Sequence, residues 1–501
     1  MPRPEPLTIP PRGNAPFHVA IIGAGFGGIG AAIQLRRAGF HDFTILEAAS
    51  DIGGTWRDNT YPGAACDVQS HLYSFSFAPW PHWDHMFARQ EQILAYLRWC
   101  AGTHGLDPHL RLDCPVREAR FDEKAQHWRL RVGNGDELVA HAVISATGGL
   151  SQPQWPDIPG QKEFRGEQFH TARWNHDVEL DGQRVAVIGT GASAIQVVPA
   201  IADRVRSLDL FQRTPPWVLP KPDRTIGPRE RTLLENLPAL QWLQRQRIYW
   251  SLEPRVLGFV IHPRIMGGLQ ALAKLHLRRS IQDSELRTRV TPDYTIGCKR
   301  ILMSNDYYDA LQRPHVTVHA GGASGLTPGG VLDGNGHEQP ADVVIHATGF
   351  KAADAPIPYT LTGLDGASLN DRWAREGAAA FKGTTVHGFP NFFLIVGPNT
   401  GLGHSSMVHI IESQITYVLD ALRTIARTGA NWIDVRQEAQ DQWNADLQKR
   451  LAGTVWASGC NAWYQSSHGR NTTLWPGFTW QFRQRTRRFD ANAYLTDRDV
   501  A

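Results

Sequence analysis

Apolar positions along this chain come in short unbroken runs, and two of them end directly in a glycine-rich turn. Phe17-His18-Val19-Ala20-Ile21-Ile22 opens onto Gly23-Ala24-Gly25-Phe26-Gly27-Gly28, and Arg184-Val185-Ala186-Val187-Ile188 opens onto Gly189-Thr190-Gly191-Ala192-Ser193-Ala194. Runs without polar alternation suit parallel strands covered on both faces. The spacing after each turn predicts a helix from Ile29 to Arg37, closed by Gly39, and another from Ile195 to Ile201. Each is followed by a further strand, Phe43 to Leu46 in the first case and the run beginning at Leu208 in the second. Two later strands, starting at Ala142 and Ala341, both close on Ala-Thr-Gly. The expected fold is α/β, with two dinucleotide-binding, Rossmann-like three-layer domains. From Pro215 to Val290 the pattern lengthens to helical repeats that include Trp217, Trp242, Tyr249 and Trp250. They predict a helical insertion in the second domain, whose aromatics serve either as helix core or as a lid over a pocket.

The glycine turns carry phosphate chemistry. Gly23 permits the tight turn, Gly25 the approach of a pyrophosphate and Gly28 close helix-to-strand packing, while the helix N-terminus attracts the phosphate charge. Gly189, Gly191 and Ala194 repeat the arrangement in its G-x-G-x-x-A form. The interval from Gly23 to Glu47 equals that from Gly189 to Arg213. At this shared position Glu47 suits the hydroxyls of a bare ribose, whereas Arg213, with Thr214 beside it, would pair with a 2′-phosphate that a carboxylate repels. The first site is therefore expected to hold FAD and the second NADPH. Otherwise Arg213 is a surface charge at a strand end. The expected division is residues 1–150 as the first part of the FAD domain, and 151–384 as the NADP domain with its insertion at about 222–290. Residues 385–501 are then the second part of the FAD domain and a C-terminal tail.

Composition narrows the function classes. A chain of 501 residues exceeds one ordinary core. Its net charge of +3, without a Lys/Arg block, gives nucleic acid no footing. Cys66, Cys100, Cys114, Cys298 and Cys460 are scattered and form no C-x-x-C pair. All five are expected to be reduced thiols of a cytoplasmic protein, with no metal site and no redox pair like that of a disulfide reductase. Met1 to Asn14 is Pro-rich without an apolar core, which predicts a loose tail and not a secretory signal. No stretch approaches eighteen consecutive apolar residues, so no membrane span is expected. Val256 to Leu277, interrupted by Arg264 and Lys274, suits a buried helix or pocket lining better than a lipid surface.

Between the two glycine turns lies Phe164-Arg165-Gly166-Glu167-Gln168-Phe169-His170-Thr171-Ala172-Arg173-Trp174. Its spacing, F-x-G-x-x-x-H-x-x-x-W, resembles the signature of the type I Baeyer-Villiger monooxygenases, which are class B flavin monooxygenases. Trp174 stands where the sister enzymes that oxidise N and S atoms usually carry Tyr, and Asn175 departs from the family's Pro or Asp. The resemblance extends from about Phe17 to Trp480. It implies conversion of a small ketone to an ester or lactone with NADPH and O2, through a C4a-peroxyflavin, and N- or S-oxidation is the alternative. The stretch joins the two expected domains, which makes it a hinge, with His170 either its titratable element or a hydrogen-bonded linker residue.

The same resemblance assigns individual residues. Turn-rich loops that no core requires, Ile52 to Trp56 and Tyr61 to Asp67, resemble flavin-wrapping and active-site loops. By this likeness Thr55, Trp56 and Tyr73 lie near the flavin, Asp67 is the active-site aspartate, and Val116 meets the adenine of FAD through its backbone. Lys299 would hold the NADP phosphate and Arg300 would enter the active site as a permanent cation beside developing negative charge. Asn399 belongs to a Gly-rich turn facing the flavin ring, and Trp463 resembles a mobile-loop tryptophan that covers NADP. Taken without the resemblance, Asp67 reads as an Asx-turn or helix cap, Lys299-Arg300 as a solvated pair and Trp463 as structural. The particular ketone and the oligomeric state stay open.

Overall fold

The chain is described by a computed structural model that covers residues 6–11, 16–353, 357–460, 462–466 and 469–500. The first unit runs β1 (Val19–Ile22), α1 (Phe26–Arg37), β2 (Phe43–Leu46), α2 (Thr55–Asp58), α3 (Gln90–Thr103) and β3 (Leu110–Arg111). An antiparallel meander follows, β4 (Val116–Asp122), β5 (His127–Val132) and β6 (Asp136–Ala140), leading to β7 (Ala142–Ser145). The second unit runs β8 (Glu167–His170), β9 (Arg184–Ile188), α4 (Ala194–Ile201), β10 (Ser207–Gln212) and β11 (Val218–Leu219). Helices α5 (Pro228–Asn236), α6 (Pro238–Leu252), α7 (Met266–Ser280) and α8 (Ser284–Arg289) form the insertion. After them come β12 (Leu302–Met303), α9 (Tyr307–Ala310), β13 (Val316–Ala320), β14 (Gly325–Thr327), β15 (Gly330–Leu332), β16 (Glu338–Pro340) and β17 (Val343–His346). The chain returns to the first unit with β18 (Thr360–Thr362), α10 (Leu369–Glu376), β19 (Phe392–Leu394) and α11 (Met407–Thr428).

The two parallel sheets are built alike, in the orders β19-β7-β1-β2-β3 and β13-β10-β9-β17-β8. In each, the strand that feeds the glycine turn is central, with the ribose strand on one side and the Ala-Thr-Gly strand on the other. Val19 pairs with Phe43 and Ala142, as Val185 pairs with Leu208 and Val343. Alternation along each strand then fills two separate cores. Val19 and Ile21 face α1 and α11, whereas Ala20 and Ile22 face Phe121, Trp128 and Leu130 of the meander. Likewise Val185 and Val187 face α4, and Ala186 and Ile188 face Leu326 and Val331 of the β14–β15 hairpin. A buried polar atom is matched at the same time: the Trp128 indole N–H donates to the Pro390 carbonyl at 2.8 Å. Strand β18 pairs with β4, so this segment already belongs to the first unit's meander.

Two expectations are corrected here. The stretch Phe164 to Trp174 is no free hinge, because β8 forms the edge of the second parallel sheet, with His170 in register with His346. His170 is buried, and its Nδ1 accepts from the Ala172 N–H at 3.0 Å, while Trp174 packs edge-on against Phe169. A backbone with hydrogen-bonding groups on both sides finds a sheet edge, and the alternation of its side chains was too short to announce it. Of the expected loose tail, residues 1–5 and 12–14 lie outside the described residues. Leu7 and Ile9 are buried in the first core, with the Leu7 N–H donating to the Ala38 carbonyl at 2.7 Å. Two apolar side chains at alternate positions cover the end of α1 and remove themselves from water.

Candidate active site

Both glycine turns place their first glycine in the left-handed region, φ +102° at Gly23 and +114° at Gly189. A Cβ there would lie 2.7 Å from the Ala146 carbonyl and 2.4 Å from the Ala347 carbonyl respectively, so each turn is wedged against its Ala-Thr-Gly strand. A Cβ on Gly28 would fall 1.8 Å from the Gly23 carbonyl, and only hydrogen fits. Around Gly191 nothing lies within 4 Å of such an atom, and beside Gly25 only the Gly54 Cα does, at 3.8 Å. The turns therefore present open backbone that an anion could approach, at the N-terminal ends of α1 and α4.

Glu47 follows β2 and is buried. Its carboxylate accepts from the Ala24 N–H at 2.8 Å and the Ala49 N–H at 3.1 Å, and pairs with Arg57 Nη1 at 2.7 Å. Arg57 was not singled out from the sequence, although it lies one residue past Trp56. The Trp56 indole donates to the Tyr73 hydroxyl at 3.1 Å, and burial pushes that phenol well above its ordinary range. Thr55 starts α2 close to Gly54, and Val116 starts β4 beside a bulge.

At the corresponding place in the second unit the electrostatics invert. Arg213 is exposed after β10, and Thr214 gives its carbonyl to the Thr190 hydroxyl at 2.8 Å. Lys299 is held below the ordinary lysine range, first by burial and then by the charge of Arg213, which Asp293 only partly offsets. The Lys299 ammonium lies over the Tyr294 ring, 5.0 Å from its centroid, and two cations near enough to repel favour an anion beside them.

Arg300 and Asp67 meet between the units. The Arg300 guanidinium donates to Asp67 Oδ2 through Nε at 3.0 Å and Nη2 at 2.5 Å. Burial alone would raise the Asp67 carboxyl, but the charge and hydrogen bonds of Arg300 outweigh it and hold the carboxyl below its usual range. The Asp67 charge in turn raises Arg300. Both side chains remain reachable, 37% and 30% exposed, so the pair borders a cleft and is not sealed in a core. The loop that carries Asp67 is fixed to the second unit: the Tyr61 hydroxyl donates to Gln196 of α4 at 2.9 Å, and the Gln196 amide donates to the Ala65 carbonyl at 3.0 Å. Burial pushes the Tyr61 phenol up to about 12. Trp174 lines a separate cavity of about 460 Å³ that lies against Arg57 and Ala48.

Asn399 and Trp463, two further predicted residues, lie in the C-terminal part of the chain. Asn399, with φ +55°, is buried, and its amide donates to the carbonyls of Asn471 at 2.9 Å and Leu474 at 3.0 Å. Its side chain thus ties the flavin-side turn to the C-terminal segment. Trp463 is exposed and packs edge-on against Tyr464. The expectation of five reduced thiols is also corrected, because Cys298 and Cys460 form a disulfide with a Cα–Cα distance of 6.1 Å, and only Cys66, Cys100 and Cys114 are free. The two cysteines are 162 residues apart, and spacing carries no sign of their approach. Among the described residues no group of side chains is arranged to hold a metal ion.

Two nucleotide cradles, one ending in a carboxylate and the other in paired cations, with an ion pair between them, define a pyridine-nucleotide-dependent flavoprotein oxidoreductase. A family model described as pyridine nucleotide-disulphide oxidoreductase matches residues 20–247. A Baeyer-Villiger monooxygenase of Pseudomonas aeruginosa is 52% identical over 95% of this chain and 90% of its own length. Another, from Streptomyces coelicolor, is 50% identical over 95% and 92%. Among solved structures, the OTEMO complex with FAD and NADP has a TM-score of 0.86 at 27% identity, covering 96% of this chain and 99% of that one. Cyclohexanone monooxygenase from Rhodococcus sp. Phi1 bound to NADP+ also has a TM-score of 0.86, at 26% identity over 96% and 98%. This chain belongs to the Baeyer-Villiger monooxygenases.

Proposed function

We propose that the chain uses NADPH and O2 to convert ketones into esters or lactones, with FAD on the first cradle, NADPH on the second, and Arg300 and Asp67 between them. FAD, when bound, would supply the redox chemistry by which NADPH and O2 oxidise the ketone, one oxygen atom entering the product and the other leaving as water. The residues present fit both dinucleotides. Gly25 leaves backbone open to one pyrophosphate in a turn that Gly23 and Gly28 tighten, and Gly191 does so for the other in the turn of Gly189 and Ala194. Glu47 takes the ribose hydroxyls of FAD, and Val116 meets its adenine. Thr55, Trp56, Tyr73 and the backbone of the Asn399 turn border the flavin. Arg213, Thr214 and Lys299 take the 2′-phosphate, and the exposed Trp463 covers the nicotinamide side. In domain terms, residues 1–150 and 357–501 form the FAD domain and 151–353 the NADP domain, because the segment of β18 and α10, expected in the NADP domain up to residue 384, packs with the first unit.

The observation that carries the reading is the Arg300–Asp67 pair at the cleft. A guanidinium stays charged at any working pH, so it stabilises negative charge that develops on the substrate oxygen. Asp67 holds its plane and direction. The experiment is Arg300→Ala, assayed in two halves. NADPH should still bleach the flavin without oxygen, while ester formation should fall by at least about a hundredfold. Lactone formation at the parent rate would remove Arg300 from this role.

A further inference from the structure

Seventeen large apolar side chains are exposed among the described residues, and ten of them lie between Leu233 and Leu275, all in the helical insertion. Helix α7 shows how this arises. Its inward stripe is Met266, Ala273 and Leu277, all buried. The opposite stripe, Ile265, Leu272 and Leu275, is also apolar, yet these residues are 55%, 62% and 43% exposed. A surface helix normally turns polar residues to water, and one that is apolar on both faces has a second surface to cover. On α6, Trp242 and Trp250 continue the patch at 62% and 57% exposure.

The charge around the patch has one sign. From Pro238 to Ser280 the chain has seven cations and one carboxylate, Glu253, a formal +6 against +3 for the whole protein, so the remainder is net negative. Glu253 is buried, where it accepts from the Thr479 hydroxyl at 2.6 Å, and so leaves the exposed cations uncompensated. Arg247, Arg264, Lys274, Arg278 and Arg279 are exposed and have no ion-pair partner among the described residues. No single helix here is long and apolar enough to cross a membrane. The segments Pro238–Ile261 and Pro263–Ser280 are apolar enough only as a pair, and they meet at a bend of 112°. Such a bent pair, aromatic and aliphatic outward with a basic rim, has the composition of an element that lies in a membrane interface.

We propose that the outer face of the insertion docks on the surface of an anionic phospholipid bilayer. Tryptophan and leucine enter the boundary between headgroups and acyl chains, and the arginines and lysine pair with lipid phosphates. Charge separates this partner from a second copy of the chain, because a two-fold contact through this face would set like cations against each other. The inner side of the same helices packs on the active-site loop. Phe259 stacks on Trp456, and a Cβ on Gly297 would meet Met266 and Phe259. Helix α7 thus lies between the docked face and the loop that carries Gly297, Lys299 and Arg300.

The test is sedimentation of the FAD-loaded enzyme with vesicles of phosphatidylcholine alone, or with a third of the lipid replaced by phosphatidylglycerol. The enzyme is expected to pellet with the anionic vesicles at low salt, weakly with the neutral ones, and to be released by high salt. Leu272→Ser/Leu275→Ser and Arg278→Glu/Arg279→Glu should each lower partitioning by about tenfold or more. Both variants should keep the parent's melting temperature and its ketone oxidation in vesicle-free buffer, which shows that they fold. Absence of pelleting with anionic vesicles overturns the proposal, as does equal pelleting of the variants. It is also overturned if light scattering finds a dimer that Leu272→Ser/Leu275→Ser splits, since the face then belongs to a contact between copies.

Discussion

Glu47 and Arg213 stand at the same place in two copies of one motif, and on the proposed function the difference between them selects the dinucleotide for each copy. Arg213 is exposed, its charge is felt by Lys299, and it has no ion-pair partner among the described residues that a 2′-phosphate would have to displace. Arg213→Ala should raise the KM for NADPH by about tenfold or more and leave the KM for NADH nearly unchanged, as steady-state kinetics with both nucleotides would show. Equal changes for the two would assign Arg213 to the fold alone. This contrast was legible from sequence because it depends only on spacing from a glycine turn. Lys299 and Arg300 were legible through their adjacency in a loop that resembles a known one. Arg57 and Gln196 were not, since their tasks are set by approaches across 10 and 131 residues of chain that no local pattern encodes. Asn399 was located correctly in the turn, but the direction of its amide depends on a C-terminal segment whose path the sequence does not announce.

Among elements, the loop of Arg300 is held from several sides. It follows α8 and precedes β12, whose pairing with β11 fixes its exit. The disulfide from Cys298 to Cys460 joins it to the C-terminal segment, where Val455, Trp456 and Tyr464 pack with Trp217, Phe259 and Ile296. Closing so long a loop restricts the unfolded chain, and Cys298→Ser should lower the unfolding free energy by roughly 2–4 kcal/mol. Denaturant melts would measure it, and a thiol reagent should count three free thiols in the denatured parent and five after reduction. A count of five without reductant would refute the bond. The core strands of both units were predictable because unbroken apolar runs have few ways to be buried. The strand β8 was not, since four residues at a sheet edge look like any linker until their partner is known.

For the whole molecule, buried imidazoles set the response to acid. Burial pushes His71, His170 and His346 down to about 4 and His409 to about 3. In the unfolded chain these rings take protons near 6.5, while the folded protein refuses them until far lower pH. Their contribution is complete above 6.5 and drains away as pH falls toward 4, at up to about 1.4 kcal/mol per pH unit for each ring. His387 works the other way. Its hydrogen bond to Asp434 raises it, so its contribution is complete below the ordinary imidazole range and fades as pH rises through the raised value. Thermal melts should therefore show the midpoint dropping steeply on mild acidification, with protons taken up on unfolding. A midpoint flat between pH 4 and 6.5 would mean that these rings are hydrated. The two-unit plan was readable at this scale because the motif occurs twice. The contact between the units was not, because it rests on pairs far apart in the chain, among them Tyr61 with Gln196, Asp67 with Arg300 and Arg245 with the Ser74 carbonyl.

Asp67 arrives on a loop of the first unit and Arg300 on a loop of the second. A rotation that parts the units would strip the guanidinium of its orienting anion, so the capacity to transfer oxygen is tied to shape as much as to bound nucleotide. An open enzyme of this build would be disarmed, and reductant consumed while the halves are apart would yield no oxidised product.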